Sequence, residues 1–168
     1  MHTLTDAFYG DLKSDVDREA GVVELSGADV PTVRIRRLVR EPSAEHVPVG
    51  TRQPHELDVR VDGERAGIVP GPGKVRRRTY RVDLTWNQHH YSFAPNSSAT
   101  SRLKRDGRQL ADFSAGDDGD FIVYWVAARD ETTAADAAIG YALSLAFGTG
   151  AYTLVGMVLS GIGALLPG

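Results

Sequence analysis

Residues 80–95 read Tyr80-Arg81-Val82-Asp83-Leu84-Thr85-Trp86-Asn87-Gln88-His89-His90-Tyr91-Ser92-Phe93-Ala94-Pro95. Tyr80, Val82, Leu84 and Trp86 alternate with Arg81, Asp83, Thr85 and Asn87. Successive strand side chains point to opposite faces, so this alternation makes a half-buried strand with one apolar face. A polar turn at Asn87-Gln88 returns the chain into a second strand with Tyr91 and Phe93 on one side. The stretch predicts an antiparallel hairpin.

The pattern repeats on both sides of it. Leu57, Val59 and Val61 alternate with Asp58, Arg60 and Asp62, and Asp62-Gly63 turns the chain into Ala66–Val69. Ser101–Arg105 and Arg108–Ser114 flank Asp106-Gly107 in the same way. Asp-Gly between alternating runs is a strong hairpin signal. Gly71-Pro72-Gly73 forces a loop. Phe121–Ala127 is apolar on both faces and predicts a strand covered on both sides. Thr32–Val39 and Val22–Leu25 extend the series upstream, and residues 6–16 read as a short helix or a further strand. The chain is therefore mainly β with a C-terminal α segment. About nine strands on short connections predict an antiparallel meander or a closed barrel, since closure removes the two exposed edges.

After residue 130 the period changes. Thr133 with Asp136 three residues on makes a helix-start signal close to a capping box. Ala134–Phe147 is apolar on every side, so it must be surrounded, as a plug inside the strands would be. Gly148-Thr149-Gly150 can end it, and Ala151–Leu166 predicts a second apolar helix. From Ala137 to Leu166 there are 30 residues without a charge, where about 20 suffice to cross a bilayer. Three arrangements follow: one spanning helix over residues 140–166, a plug helix with residues 151–166 on a membrane or partner, or a helical hairpin in a core or between subunits. Gly156, Ser160 and Ala164 form a row of small residues at i, i+4 and i+8. They are the candidate helix–helix interface of a homo-oligomer. The chain divides into an acidic segment 1–29, a β region 30–130 and an apolar helical segment 131–168.

A β-meander, the strand end Tyr91-Ser92-Phe93-Ala94-Pro95, the hairpin Ser101–Leu110, the aromatic strand Phe121–Val126 and the apolar helix Ala134–Phe147 together resemble the LURP-one-related members of the tubby-like barrels. The likeness spans residues 55–148. It implies a closed antiparallel barrel wrapped around its C-terminal helix. The phospholipid scramblase relatives carry Cys clusters, which this chain lacks, and its second apolar stretch has no counterpart in the family.

The 168 residues are 42% apolar and 24% charged, which excludes wholesale disorder. The absence of Cys excludes disulfides, thiol catalysis, Cys-ligated zinc and iron–sulfur clusters. A net charge of -3 hides a sorted distribution: -5 over residues 1–29, +8 over 30–108 and -6 over 109–136. Arg outnumbers Lys sixteen to three, and Arg presents a rigid fork to phosphate or carboxylate. Two basic clusters are the candidate binding residues: Arg34, Arg36, Arg37 and Arg40 on one strand and its exit, and Lys74, Arg76, Arg77 and Arg78 after the glycine loop. Arg34 and Arg36 share a strand face, as do Arg76 and Arg78. They suit anionic lipid head groups or an acidic partner. Nucleic acid is not expected, because no aromatic-interleaved module or recognition helix accompanies them.

Catalytic patterns fail. Gly71-Pro72-Gly73-Lys74 is no P-loop, with Ile68 and Val75 at the defining positions. His89 and His90 point to opposite faces of a strand and cannot share a metal. Asp117, Asp118 and Asp120 lack EF-hand spacing. No nucleophile stands beside a base, so no enzyme, metal or cofactor is expected. Met1–Asp6 has neither a basic nor an apolar leader region, which points to a cytoplasmic chain without a secretory signal. The expectation is a non-enzymatic binding or scaffold module at or near a membrane. The alternative is a soluble tubby-like barrel whose C-terminal helix mediates oligomerisation or partner docking.

Overall fold

The computed structural model describes residues 1–74 and 76–150. Eleven strands lie in chain order in one antiparallel sheet. They are β1 (His2–Asp6), β2 (Gly10–Asp17), β3 (Val22–Gly27), β4 (Val33–Arg37), β5 (Leu57–Val61), β6 (Glu64–Pro70), β7 (Val82–Trp86), β8 (His89–Pro95), β9 (Thr100–Arg105), β10 (Arg108–Ala115) and β11 (Phe121–Trp125). The sheet curls into a nearly closed barrel around α1 (Ala134–Phe147). Alternation does the work along each strand. In β4, Val33, Ile35 and Arg37 are buried while Arg34 and Arg36 are exposed. Tyr80, Val82 and Leu84 point inward and Arg81 and Thr85 outward, as their period requires. Tyr80, however, belongs to a 3-10 turn, Arg77–Tyr80, that precedes β7.

The count of about nine strands is corrected to eleven. The two additions are β1 and β2, in the acidic segment 1–29, where residues 6–16 read ambiguously. Their inward positions are Leu4, Asp6, Leu12 and Ser14, so two polar residues break the apolar alternation that marks a strand. Two-residue turns with left-handed backbone join the clearest hairpins: Asp62-Gly63, Asn87-Gln88 and Asp106-Gly107.

α1 starts with the expected capping box. The Asp136 amide donates to the Thr133 hydroxyl at 3.3 Å, and the Thr133 amide donates to the Asp136 carboxylate at 2.8 Å. It stops at Gly148, whose φ of +80° favours glycine. Residues 136–144 are all buried. The helix packs on β3, β4 and β10. Gly140 lets it approach β10 closely: a methyl group there would overlap the Phe113 ring and stand 3.0 Å from Leu103 Cδ2. Phe113 in turn packs edge-on against Phe93 and Tyr141.

Among the described residues α1 is the only α-helix. The second helix expected over residues 151–166, with Gly156, Ser160, Ala164 and the oligomer contact assigned to them, lies outside the described residues. The membrane placement is overturned. No helix of the described residues is long and apolar enough to cross a membrane. α1 covers its apolar surface inside the barrel, so that surface needs no bilayer. The membrane or anionic-lipid partner expected for this chain is corrected with it.

Candidate functional site

The basic residues singled out from the sequence fall into three kinds of place. Arg34 and Arg36 face outward on β4. Arg34 stands opposite Glu24 of β3 and Arg60 of β5, and Arg60 stands opposite Arg65 of β6. The outer face thus carries a row of three arginines. Asp58 offsets Arg60 at 3.3 Å, and Glu24 reaches Arg34 only at 4.0 Å. Arg60 and Arg65 were missed because each looks like a solitary charge until the register aligns the strands.

Arg37 is not available for binding. It is buried, and its guanidinium donates to the carbonyls of Val39, Val49, Glu19 and Arg40 at 2.9–3.1 Å. It is a clamp that holds the β2–β3 turn to the β4–β5 connection. Arg40 sits on the rim of an open hollow shared with Asp17, Arg18 and Glu41.

Lys74, Arg76, Arg77 and Arg78 are exposed on the β6–β7 connection. Bonds from the Gly71 amide to the Arg81 carbonyl (2.7 Å) and from the Gly73 amide to the Thr79 carbonyl (2.8 Å) tie its two limbs together. The 3-10 turn here removes the strand face that Arg76 and Arg78 were expected to share.

The second candidate is the seam of the barrel. Ten antiparallel steps separate β1 from β11, so these two strands run in the same direction. No backbone hydrogen bond joins them among the described residues. In the β10–β11 ladder the Gly116 amide bonds the Asp120 carbonyl and the Val126 amide bonds the Leu110 carbonyl, both at 2.8 Å. By alternation, the backbone groups of Ile122 and Tyr124 also face β10, and those of Phe121, Val123 and Trp125 face the seam.

Side chains alone bridge the gap. The His2 ring meets the Asp120 carboxylate at 2.9 Å, and the Trp125 indole donates to Asp6 at 3.0 Å. Phe8 stacks on Trp125 with ring centres 5.2 Å apart. Between the edges lies a groove of about 220 Å³, lined by Thr3, Leu4, Thr5, Asp120 and Phe121, with Tyr141 of α1 also reaching it.

β11 was expected to be covered on both faces. Its outer face is bare: Ile122 is 66% exposed, Tyr124 70% and, one residue past the strand, Val126 47%. An unpaired edge beside an apolar row is what most proteins conceal.

Two buried carboxylates fasten the helix to the barrel. Asp6 accepts from the amides of Phe8 and Tyr9, from Trp125 and, at 2.8 Å, from the Tyr141 hydroxyl. Asp136 pairs with Arg105 and accepts from the Tyr91 hydroxyl at 2.9 Å. Burial, reinforced by the neighbouring carboxylate, pushes both tyrosines well above their ordinary range. Asp6 thus accepts four hydrogen bonds and Asp136 three, and both tie α1 to the strands. His89 and His90 pair with Asp106 and Asp83 at 2.6 and 2.8 Å.

No protein-family model matches the sequence, and no match was found among curated proteins or solved structures.

Proposed function

We propose that this chain is a non-catalytic binding scaffold of the tubby-like, LURP-one-related kind, which docks an extended segment of a partner polypeptide along the β11 edge. The single observation that carries this reading is the open seam. A strand running opposite to β1 and β11 would pair antiparallel with the unbonded groups of Phe121, Val123 and Trp125. Its outer side chains would cover Ile122 and Tyr124. Addition of a strand to an exposed edge draws affinity from main-chain bonds and specificity from alternate side chains. The partner is therefore an extended segment with apolar residues at every second position.

The test is a selection of displayed twelve-residue peptides on the intact protein, followed by titration against Val123→Pro and Tyr124→Lys. Proline at position 123 removes an amide that faces the seam and leaves the β10 ladder untouched. Peptides that lose about tenfold or more in affinity for both variants support the reading. Peptides that bind the variants as tightly as the parent overturn it.

A second reading is favoured by the Arg34–Arg60–Arg65 row, where like charges stand directly opposite one another. Such pairs destabilise a sheet, and an acidic protein surface would relieve them. A Glu-rich peptide should bind with strong salt dependence and lose affinity on Arg60→Glu. Salt-independent binding, or none, would remove this reading.

A further inference from the structure

The registers of five neighbouring strands set one row of charges across the outer face of the barrel. Asp15 of β2 stands opposite Glu24 of β3, Glu24 opposite Arg34 of β4, Arg34 opposite Arg60 of β5 and Arg60 opposite Arg65 of β6. All five side chains are exposed. The row reads acid, acid, base, base, base. Three of its four steps set like charges directly opposite one another, an arrangement that destabilises a sheet. The fourth, from Glu24 to Arg34, closes only to 4.0 Å. Asp58 answers Arg60 at 3.3 Å. Among the described residues neither Asp15 nor Arg65 has an ion-pair partner.

Charges sorted in this way are self-complementary. A half-turn about an axis normal to the sheet, midway between Glu24 and Arg34, lays the row on a copy of itself with the signs exchanged. Glu24 then faces the second copy's Arg34, and Asp15 faces the second copy's Arg60. The same contacts recur in the opposite direction, as two-fold symmetry requires. At the centre, two Glu24 and two Arg34 side chains form a ring of alternating charge. Adjacent strands lie about 4.8 Å apart, so the four positions from Asp15 to Arg60 span about 14 Å. Where two convex barrels diverge from the axis, the long side chain of Arg60 makes up the gap.

We infer that this face is the contact between two copies of the chain in a weak, salt-sensitive dimer. A foreign acidic surface would relieve the three arginines but would meet Asp15 and Glu24 with charges of their own sign. A second copy relieves both halves of the row. The inference rests on the arginine row being a docking surface and is independent of the β11 edge. A contact made of charges without an apolar centre belongs to the small, transient class of interfaces. Complementary charge sets its register and its sensitivity to salt.

The test is sedimentation velocity of the full chain at protein concentrations up to about 1 mM, in about 20 mM and about 500 mM NaCl. The expected result is a dimer in low salt that dissociates in high salt. Glu24→Arg and Arg34→Glu each set like charges across the two-fold axis and should weaken self-association about tenfold or more. Asp15→Lys, further from the axis, should weaken it several-fold. All three positions are exposed, and thermal unfolding checks that each variant is folded. An equal mixture of Glu24→Arg and Arg34→Glu restores opposite charges at every central contact, so the two variants should associate with each other although neither associates with itself. A full chain that stays monomeric at about 1 mM in low salt, a dimer that no substitution weakens, or a mixture no more associated than its components overturns the inference. A Glu-rich peptide is titrated in parallel. Its binding to a chain that stays monomeric overturns the dimer and leaves the arginine row as a docking surface, whereas the absence of both peptide binding and dimer removes both.

Discussion

Replacing Asp136 with Ala should cost this protein a large share of its stability. The carboxylate is fully buried and holds three elements at once. It caps the first turn of α1 through the Thr133 amide, accepts from Tyr91 on β8 and pairs with Arg105 on β9. Loss of a reciprocal cap costs about 1 kcal/mol. A buried tyrosine hydroxyl left without its acceptor costs about 1–3 kcal/mol. Removing one partner of a buried ion pair costs about 3–5 kcal/mol. The terms overlap, since Arg105 keeps the Glu131 carbonyl at 3.1 Å, so the expected loss is about 4–5 kcal/mol rather than their sum. With a urea slope of about 2 kcal/mol/M, the unfolding midpoint should fall by about 2 M. Equilibrium unfolding followed by tryptophan fluorescence and circular dichroism reads this directly. A double-mutant cycle with Arg105→Ala should return a coupling of about 2–3 kcal/mol. A loss below about 1 kcal/mol, or additive single effects, would show that the helix is not anchored through this carboxylate.

Gly140→Val should destabilise by about 1–3 kcal/mol, because the new side chain meets Phe113 and Leu103, and overpacking outweighs the gain in helix propensity. A raised unfolding temperature would contradict the close approach of α1 to β10. Gln88 has a φ of +63°, so Gln88→Gly should stabilise the β7–β8 turn by about 0.5–1 kcal/mol, and chemical denaturation checks the sign. Alkaline stability should follow Tyr91 and Tyr141. Their folded ionisation is raised, so their contribution is complete below about pH 10, where the unfolded chain begins to ionise, and is lost as pH climbs above it, by about 1.4 kcal/mol per pH unit for each. A urea midpoint that stays level from pH 9.5 to 11.5 would refute this.

Local periodicity alone determined much of the protein. The hairpin pairs from Leu57 to Ser114 follow from alternation and from turns whose dipeptides admit left-handed backbone. The burial of Ala134–Phe147 follows from a helix without a polar side. The capping box at Thr133 and Asp136 was legible for the same reason: each is a relation between residues a few positions apart. β1 and β2 were hidden because Asp6 and Ser14 occupy inward positions, where Asp6 meets Tyr141 and Trp125, more than a hundred residues away. Only the tertiary structure could decide which cations bind. Arg37 and Arg34 lie three residues apart on one strand, yet one is enclosed by carbonyls and the other faces outward beside Arg60. The exposed face of β11 belongs to the same class. Phe121–Ala127 has the composition of a covered strand, but closure depends on how many antiparallel steps the whole sheet takes. Eleven strands leave the two edges running in the same direction with no backbone bond between them, a property of the complete circuit that no single segment carries.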